Sequence, residues 1–380
     1  MPWKVDSPMS LRREFVQLAS AEDANVSLLA RRFKISRKTA YKWLRRADAD
    51  EGEPLAERSR RPHHSPGRTS ETMEQLVIAL RQKHPAWGAR KLKRRLEDLD
   101  HQDVPARSTV NDILHRHGMI DPAESLKHAP LRRFERQSPN ELWQMDFKGA
   151  VTTPAGAFHP LTVLDDFSRY NILLKVCENQ QNLAVREALT GAMRLYGMPS
   201  CVLADNGPPW GSYGAEEYWT SFGAWLIRRG VSLIHGRPLH PQTQGKEERF
   251  HLTLEVEVLR TMPMRDGDHC QQQFDKFRAV YNHERPHEAL ALNVPASRYS
   301  PSKRSFPENL PPIEYGPDDQ VRRVCESGRI SLNGKPYKVG TAFVGEPVAV
   351  RPTAVDGKME VFYCHQRVAE INLREGSGAR

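Results

Sequence analysis

The chain has 380 residues, 38% of them hydrophobic and 8% aromatic, which is enough to bury cores in roughly two to four domains and excludes a disordered chain. Its net charge of +9 lies entirely in residues 1–140, where 28 Lys and Arg face 19 Asp and Glu, and a basic region of that kind is the electrostatic footprint of a DNA binder. No apolar run reaches membrane-spanning length and no charged-then-apolar leader opens the chain, so the expectation is a cytoplasmic protein with no membrane partner. The five cysteines are scattered and never in Cys-x-x-Cys spacing, which argues against a disulfide framework and against structural zinc.

Residues 1–50 read as a helix-turn-helix. Leu11, Phe15 and Leu18 recur at helical spacing. After an acidic break come Leu28–Phe33, a short turn, Ser36 as an N-cap, and a helix from Arg37 to Arg46. That helix carries Arg37, Lys38, Thr39 and Lys42 where a recognition helix meets base edges and phosphates, with Tyr41 or Trp43 and Leu44 expected on its inner face. Residues 51–70 are rich in Arg, Pro and His and read as a basic linker. A second helix-turn-helix candidate spans 71–120. Met73, Leu76, Val77 and Leu80 recur at helical spacing, Trp87–Leu96 is strongly basic, and a helix capped by Ser108 ends at Gly118. Its expected DNA contacts are Arg90, Lys91, Lys93 and Arg94. Residues 121–140, with Arg132, Arg133 and Arg136, form a connector.

From residue 141 the period changes. Leu142–Val151, Leu161–Asp165 and Tyr170–Cys177 read as strands, Asn182–Tyr196 as a helix, Cys201–Ala204 as a strand and Glu216–Arg229 as a helix. Val231–Ile234 follows as a strand, then Gln244–Arg260 and Phe274–Asn282 as helices. Strands followed by helix–strand alternation predict an α/β layer fold over 141–300. Short alternating runs punctuated by Gly and Pro predict a small all-β barrel over 315–375.

Within 141–300, Asp146 and Asp205 end strand-like runs, and Glu247-Glu248 sits in helix-forming sequence. Carboxylates from separate elements, with no Cys or His cluster, suit a hard cation such as Mg²⁺ completed by substrate phosphates. Two such ions stabilise the attacking and leaving oxygens of an in-line phosphoryl displacement. Consecutive helix positions point about 100° apart, so only one of Glu247 and Glu248 faces such ions, and apolar spacing does not choose between them. Plainer readings stand beside these: Asp146 as a turn acid, Asp205-Asn-Gly as a plain turn, Asp165 and Asp166 as a structural pair, and His287 as a packing residue.

Six pieces in order resemble the insertion-sequence transposases of the DDE integrase-core superfamily, relatives of the retroviral integrases. They are Trp143-Gln-Met-Asp146-Phe, Asp165-Asp-Phe-Ser-Arg-Tyr170, Asp205-Asn-Gly, Gly245-Lys-Glu-Glu248-Arg-Phe250, Tyr281-Asn-His-Glu-Arg-Pro-His287 and Pro295-Ala-Ser-Arg-Tyr299. The resemblance implies a multidomain chain in which all-α helix-turn-helix units precede an RNase H-like α/β integrase core. It picks Asp146, Asp205 and Glu248 as the catalytic triad and ligands of two Mg²⁺ ions (Mn²⁺ serving as a substitute). Lys246 and Arg249, flanking the last acid, become candidate phosphate contacts or a solvated helix face. The implied partners are DNA, as terminal inverted repeats and target, and further copies of the chain, as a dimer or tetramer on paired ends in a bacterial cytoplasm. The implied reaction nicks the element ends and joins the 3′-OH to target DNA without a covalent enzyme intermediate. Two departures stand out: 42 residues separate Asp205 from Glu248, with Pro208–Gly214 as the extra loop, and no cysteine precedes Cys177, so the zinc module of retroviral integrases is missing. A non-catalytic DNA-binding regulator and a metal-dependent nuclease that cuts without joining remain as alternatives on the same fold.

Overall fold

The computed structural model describes residues 7–49, 55–57, 69–120, 135–211, 219–235 and 245–374, so most of the expected linker and connector lie outside the described residues. The chain divides into two compact units, Met1–Arg68 and Thr69–Arg380.

The first unit is a three-helix cluster of α1 (Pro8–Ala19), α2 (Val26–Arg32) and α3 (Arg37–Ala47). Ser36 caps α3 as expected, its side chain accepting the Thr39 N–H at 3.1 Å. Phe15, Ala30, Ala40 and Trp43 form the core, and Ala40 is wholly buried between the helices, where a larger side chain would force them apart. Of the two aromatic candidates for the inner face, Trp43 takes it, under the Arg12 guanidinium at 4.0 Å, while Tyr41 stays exposed.

The second unit opens with α4 (Glu71–Lys83), α5 (Ala89–Asp98) and α6 (Arg107–Arg116), packed around Val77, Trp87, Leu92, Leu96, Val110 and Ile113. Ser108 does not cap α6: the helix starts one residue earlier behind Ala106, with no side-chain cap. Its end is as expected. Gly118 sits at φ 65°, donating to the His115 carbonyl, while Met119 donates to Leu114, a Schellman closure.

A mixed sheet follows, built from β1 (Leu142–Phe147), β2 (Val151–Thr153), β3 (Gly156–Asp165), β4 (Asn171–Cys177), β5 (Cys201–Ala204) and β6 (Ser232–His235). The main order is β4-β3-β1-β5-β6, with β2 paired to the start of β3. Strand β1 runs antiparallel to β3 and parallel to β5, which is the RNase H-like arrangement. One face is covered by α7 (Asn182–Tyr196), through Val185, Leu189, Ala192 and Met193, and by α8 (Ser221–Ile227). The other is covered by α9 (Gly245–Leu254) and α10 (Gly267–His283), through Phe250, Leu254, Phe274 and Phe277. Helices on both faces explain why the inner strands read as nearly unbroken apolar runs.

Several element ends differ from expectation. β1 stops at Phe147 and a separate strand resumes at Val151. α8 begins only at Ser221, where Thr220 accepts the Gly223 N–H at 3.3 Å. α9 does not run on to Arg260 as an α-helix: Glu255–Leu259 widens into one π turn, closed by the Arg260 N–H donating to the Glu255 carbonyl. α10 starts at Gly267, earlier than Phe274, because Asp266 caps it, accepting the His269 N–H at 2.7 Å.

The C-terminal part is all-β. β7 (Gln320–Arg323), β10 (Pro347–Pro352), β11 (Lys358–Tyr363) and β12 (Gln366–Asn372) form an antiparallel sheet, and β8 (Arg329–Leu332) pairs with β9 (Lys335–Lys338). Both sheets share one core, which includes Ile330, Tyr337, Phe343, Val348 and Val361 and continues into Ala224 and Ile227 of α8. Among the described residues no helix is long and apolar enough to cross a membrane.

Gly197 closes α7 at φ 75° and ψ 178°, a region essentially reserved for glycine, and an added Cβ would stand 2.4 Å from the Ser302 carbonyl oxygen. Gly197→Ala is therefore expected to destabilise the core by about 2 kcal/mol or more, read as a lower urea midpoint at unchanged slope.

Candidate active site and DNA-contact residues

Asp146 lies near the end of β1, the strand flanked by β3 and β5. Its carboxyl is pushed up to about 6, first by burial, then by the nearby carboxylates of Asp205 and, more weakly, Glu248. Acids at the end of β5 and on α9 therefore act electrostatically on Asp146 of β1 although the three are far apart in sequence. Among the described residues no Lys or Arg ion-pairs with any of the three; the nearest partner is His251, with Nδ1 3.9 Å from Asp146 Oδ2.

Asp205 follows β5 directly, and its Oδ1 accepts the Gly207 N–H at 3.0 Å and the indole N–H of Trp210. Trp210 is buried and stacks on Phe147 with ring centroids 5.2 Å apart, so the loop after Asp205 is tied back to the end of β1. His235, at the end of β6, holds the Asp205 carbonyl with Nδ1 at 2.8 Å.

The two adjacent glutamates separate cleanly. Glu248 is exposed. Glu247 is fully buried, and burial together with the Asp146 charge holds its carboxyl well above the usual range, which favours the protonated form. Its Oε2 lies 2.9 Å from Thr162 Oγ1, which is also 2.8 Å from His251 Nε2 and 3.0 Å from the Asp146 carbonyl. A hydroxyl has one proton and two lone pairs, so a neutral Glu247 donating to Thr162 satisfies this cluster better than a carboxylate would. Burial lowers His251 to about 4, so its ring is neutral at pH 7. Thr162, Trp210, His235 and His251 went unnoticed in the sequence. Only His251, one helical turn beyond the glutamates, carried a signal there.

A metal site was expected at Asp146, Asp205 and Glu248. The donor set is all oxygen and its negative charge has no cationic partner, which fits a divalent ion. Among the described residues no three Asp, Glu, His or Cys side chains are gathered closely enough to hold an ion as they stand. Asp165 and Asp166 are structural. Asp165 accepts the Ser168 and Asn140 N–H groups at 2.8 and 2.7 Å, and Asp166 accepts the Arg136 N–H at 2.8 Å and Gln144 Nε2 at 2.6 Å. His287 packs edge-to-face on Tyr281.

The expected DNA contacts divide. Arg37, Lys38 and Lys42 are exposed on α3, and Arg249 is exposed on α9. Thr39 is half-buried, with its hydroxyl 2.9 Å from Ser36 Oγ at the cap, and Lys246 ion-pairs with Asp166 and is largely covered. The basic helix α5 is turned against the core. Lys91 is desolvated enough to bring it down to about 8, Arg94 reaches Asn293 at 3.3 Å and Asp98 at 2.8 Å, Lys93 pairs with Glu97, and Arg90 stands 3.8 Å from Glu288. Charge alone did not reveal these partners, which lie up to about two hundred residues away.

The sheet order and its two helical layers define an RNase H-like integrase core between helix-turn-helix units and a C-terminal all-β part. Integrase core domain models match residues 136–241 and 229–295, a helix-turn-helix domain 11–63, a homeodomain-like domain 39–114, and the C-terminal domain of IS481 family transposases 319–378. In their kind and their order these domains resemble those of an insertion-sequence transposase of the DDE integrase superfamily. It is 28% identical over 159 residues to an uncharacterized 31.7 kDa protein of insertion element IS407 from Burkholderia multivorans, covering 42% of this chain and 55% of that one. It is 26% identical over 259 residues to an uncharacterized 39.2 kDa protein of element IS476 from Xanthomonas euvesicatoria, covering 65% and 70%. The chain thus spans about half the length of the first of these relatives. Similar solved structures include a simian T-cell lymphotropic virus intasome in complex with a PP2A regulatory subunit (TM-score 0.37, 16% identity, 77% of this chain and 97% of that one). The HTLV-2 integrase catalytic core in complex with magnesium is another (TM-score 0.33, 17% identity, 42% and 97%).

The raised Asp146 carboxyl carries a stability signature. The folded state holds this proton up to about pH 6 and the unfolded chain only to about 4, so without metal its contribution is present below pH 4 and is lost as pH rises through 6. Asp146→Asn is expected to be more stable than the parent by roughly 2 kcal/mol at pH 7 in EDTA, with the gap closing by pH 4. Urea unfolding of the two proteins side by side over this pH range measures the gap.

Proposed function

We propose that the chain is a DNA transposase that binds the terminal repeats of its element, nicks the ends and joins the freed 3′-OH to target DNA. The single observation that supports this most directly is the pressure of the Asp205 and Glu248 carboxylates on Asp146, with no Lys or Arg among the described residues ion-paired to any of the three. Those three residues would hold two divalent cations, Mg²⁺ by the preference of an oxygen-only set, and the ions would stabilise charge on the attacking and leaving oxygens of the phosphodiester. Asp205 is oriented for this by Gly207 and Trp210, and Asp146 by its strand, by the Phe147 N–H on its carboxyl and by Thr162 on its carbonyl. Glu247 lies buried beneath the site, hydrogen-bonded to Thr162. Arg37, Lys38 and Lys42 on α3 present positive charge to DNA, and Arg249 is placed to meet a phosphate beside Glu248. Joining two ends requires at least two copies of the chain on paired DNA.

The test uses labelled duplexes carrying the DNA on either side of the gene, with purified protein and Mg²⁺ or Mn²⁺. Strand-joined products are expected from the parent, and a fall of at least about a hundredfold in Asp146→Asn, Asp205→Asn and Glu248→Gln, since ion-mediated stabilisation amounts to several kcal/mol. Glu247→Gln, which keeps a buried neutral hydrogen-bonding group, is expected to retain most activity. Nicks without joined products would make the chain a nuclease, and specific binding without either product would make it a regulator.

A further inference from the structure

The second helical unit holds an unassigned surface. Helices α5 and α6 pack through Leu92, Leu96, Val110, Ile113 and Leu114, and their other faces have opposite fates. The outer side of α5 is docked on the integrase core. Arg95 pairs with Glu284 at 2.9 Å, Arg94 reaches Asn293, the buried Trp87 donates Nε1 to Glu257 at 3.4 Å, and Val280 of α10 packs into the same apolar cluster. The outer side of α6 carries Ser108, Asn111, Asp112 and His115 at i, i+3, i+4 and i+7, all exposed, with Arg107 at its start. Among the described residues none of these five side chains makes a hydrogen bond or ion pair.

We propose that α6 is the base-reading helix of this second unit and that α5 is its docking helix. The inference rests on the DNA-binding reading above and reverses the expectation drawn from the basic run on α5. In a helix-turn-helix the second helix of the pair enters the major groove with its N-terminal residues on base edges. The stripe on α6 has the composition for that. Asn pairs bidentately with adenine, Arg with guanine, and Asp accepts from the cytosine amine. Asp112 also argues against a merely phosphate-binding face, because an anion in the middle of the stripe is repelled by the backbone and tolerated only opposite a donor. The turn from Leu99 to Ala106 is longer than the usual three or four residues, yet α6 still packs directly on α5, with its stripe on the side away from that contact. Because α5 is fixed to α10 and to the π turn after α9, the base pairs read by α6 lie at a set distance from the phosphodiester presented to Asp146.

The test selects duplexes from a pool with a random interior, using the full chain, in parallel for the parent, Asn111→Ala/His115→Ala, Asn111→Asp, and Arg90→Ala/Lys93→Ala. The parent is expected to select a bipartite sequence. The α6 double variant should lose one part of it, bind the parent's duplex at least about tenfold more weakly, and keep the other part. Asn111→Asp should change the preferred base at one position, which a misfolded protein would not do. The α5 variant should select the parent's sequence unchanged. An unchanged selection by both α6 variants, or loss of one part by the α5 variant, overturns the proposal while leaving DNA binding intact. No selected sequence from the parent overturns the wider reading with it.

Discussion

The catalytic half of the chain depends on strand β1 holding Asp146 partly buried beside two other acids. The partly buried Asp146 feels the carboxylates of Asp205 and Glu248, and among the described residues no lysine or arginine ion-pairs with any of the three. Such an arrangement survives only if the rest of the domain is stable enough to carry it. The sheet supplies that stability by pairing β1 on both sides and covering both faces with helices, so that Trp143 and Met145 are wholly buried. The acids therefore sit on a rigid frame whose strain a bound cation would relieve, and the parallel pairing of β1 with β5 is what brings Asp205 beside Asp146.

A second consequence of that frame is the division of labour between two neighbouring glutamates. Helical geometry sends Glu247 under the sheet and Glu248 out to solvent. Burial holds the Glu247 carboxyl well above the usual range and so favours its neutral form, beside the Thr162 hydroxyl that also meets the Asp146 carbonyl and His251. A neutral acid adds no further negative charge to a site already crowded with it, which gives a physical reason for reading Glu248 rather than Glu247 as the third ligand.

The alternation of strands and helices across 141–300 was legible because each inner strand is a short apolar run, but the face α7 buries was not: the spacing of Ala184, Ala188, Ala192 and Leu195 suggested one side, whereas Val185, Leu189, Ala192 and Met193 are buried and Leu195 is exposed. The Ser36 cap and the Gly118 closure were legible because those residues act within a few positions of themselves. Ser108 misled for the same reason: the residue type suits a cap, but the helix had already begun at Arg107. The π turn after α9 was not legible, since Glu255–Leu259 is good α-helical sequence and the Arg260 N–H bonds one carbonyl further back than in an α-helix. Thr162, Trp210 and His235 were hidden because their roles arise only when β3, the loop after β5 and the end of β6 meet.

Charge was the least transferable signal. The excess in residues 1–140 is real, yet part of it is directed at the chain's own acids. Arg95 meets Glu284, Arg90 stands near Glu288, and Lys91 loses basicity by burial near Arg285 and Glu257. A cation engaged in this way releases no counterion when DNA binds, so it adds little to affinity and little to the salt dependence. What remains for phosphate is the set with no acidic partner, Arg37 and Lys38 on α3 among them. The basic character of α5 is better understood as the means by which a small helical unit is attached to an acidic edge of the catalytic core. The sequence-reading side is left to the nearly neutral stripe of α6, where base edges rather than net charge decide what binds.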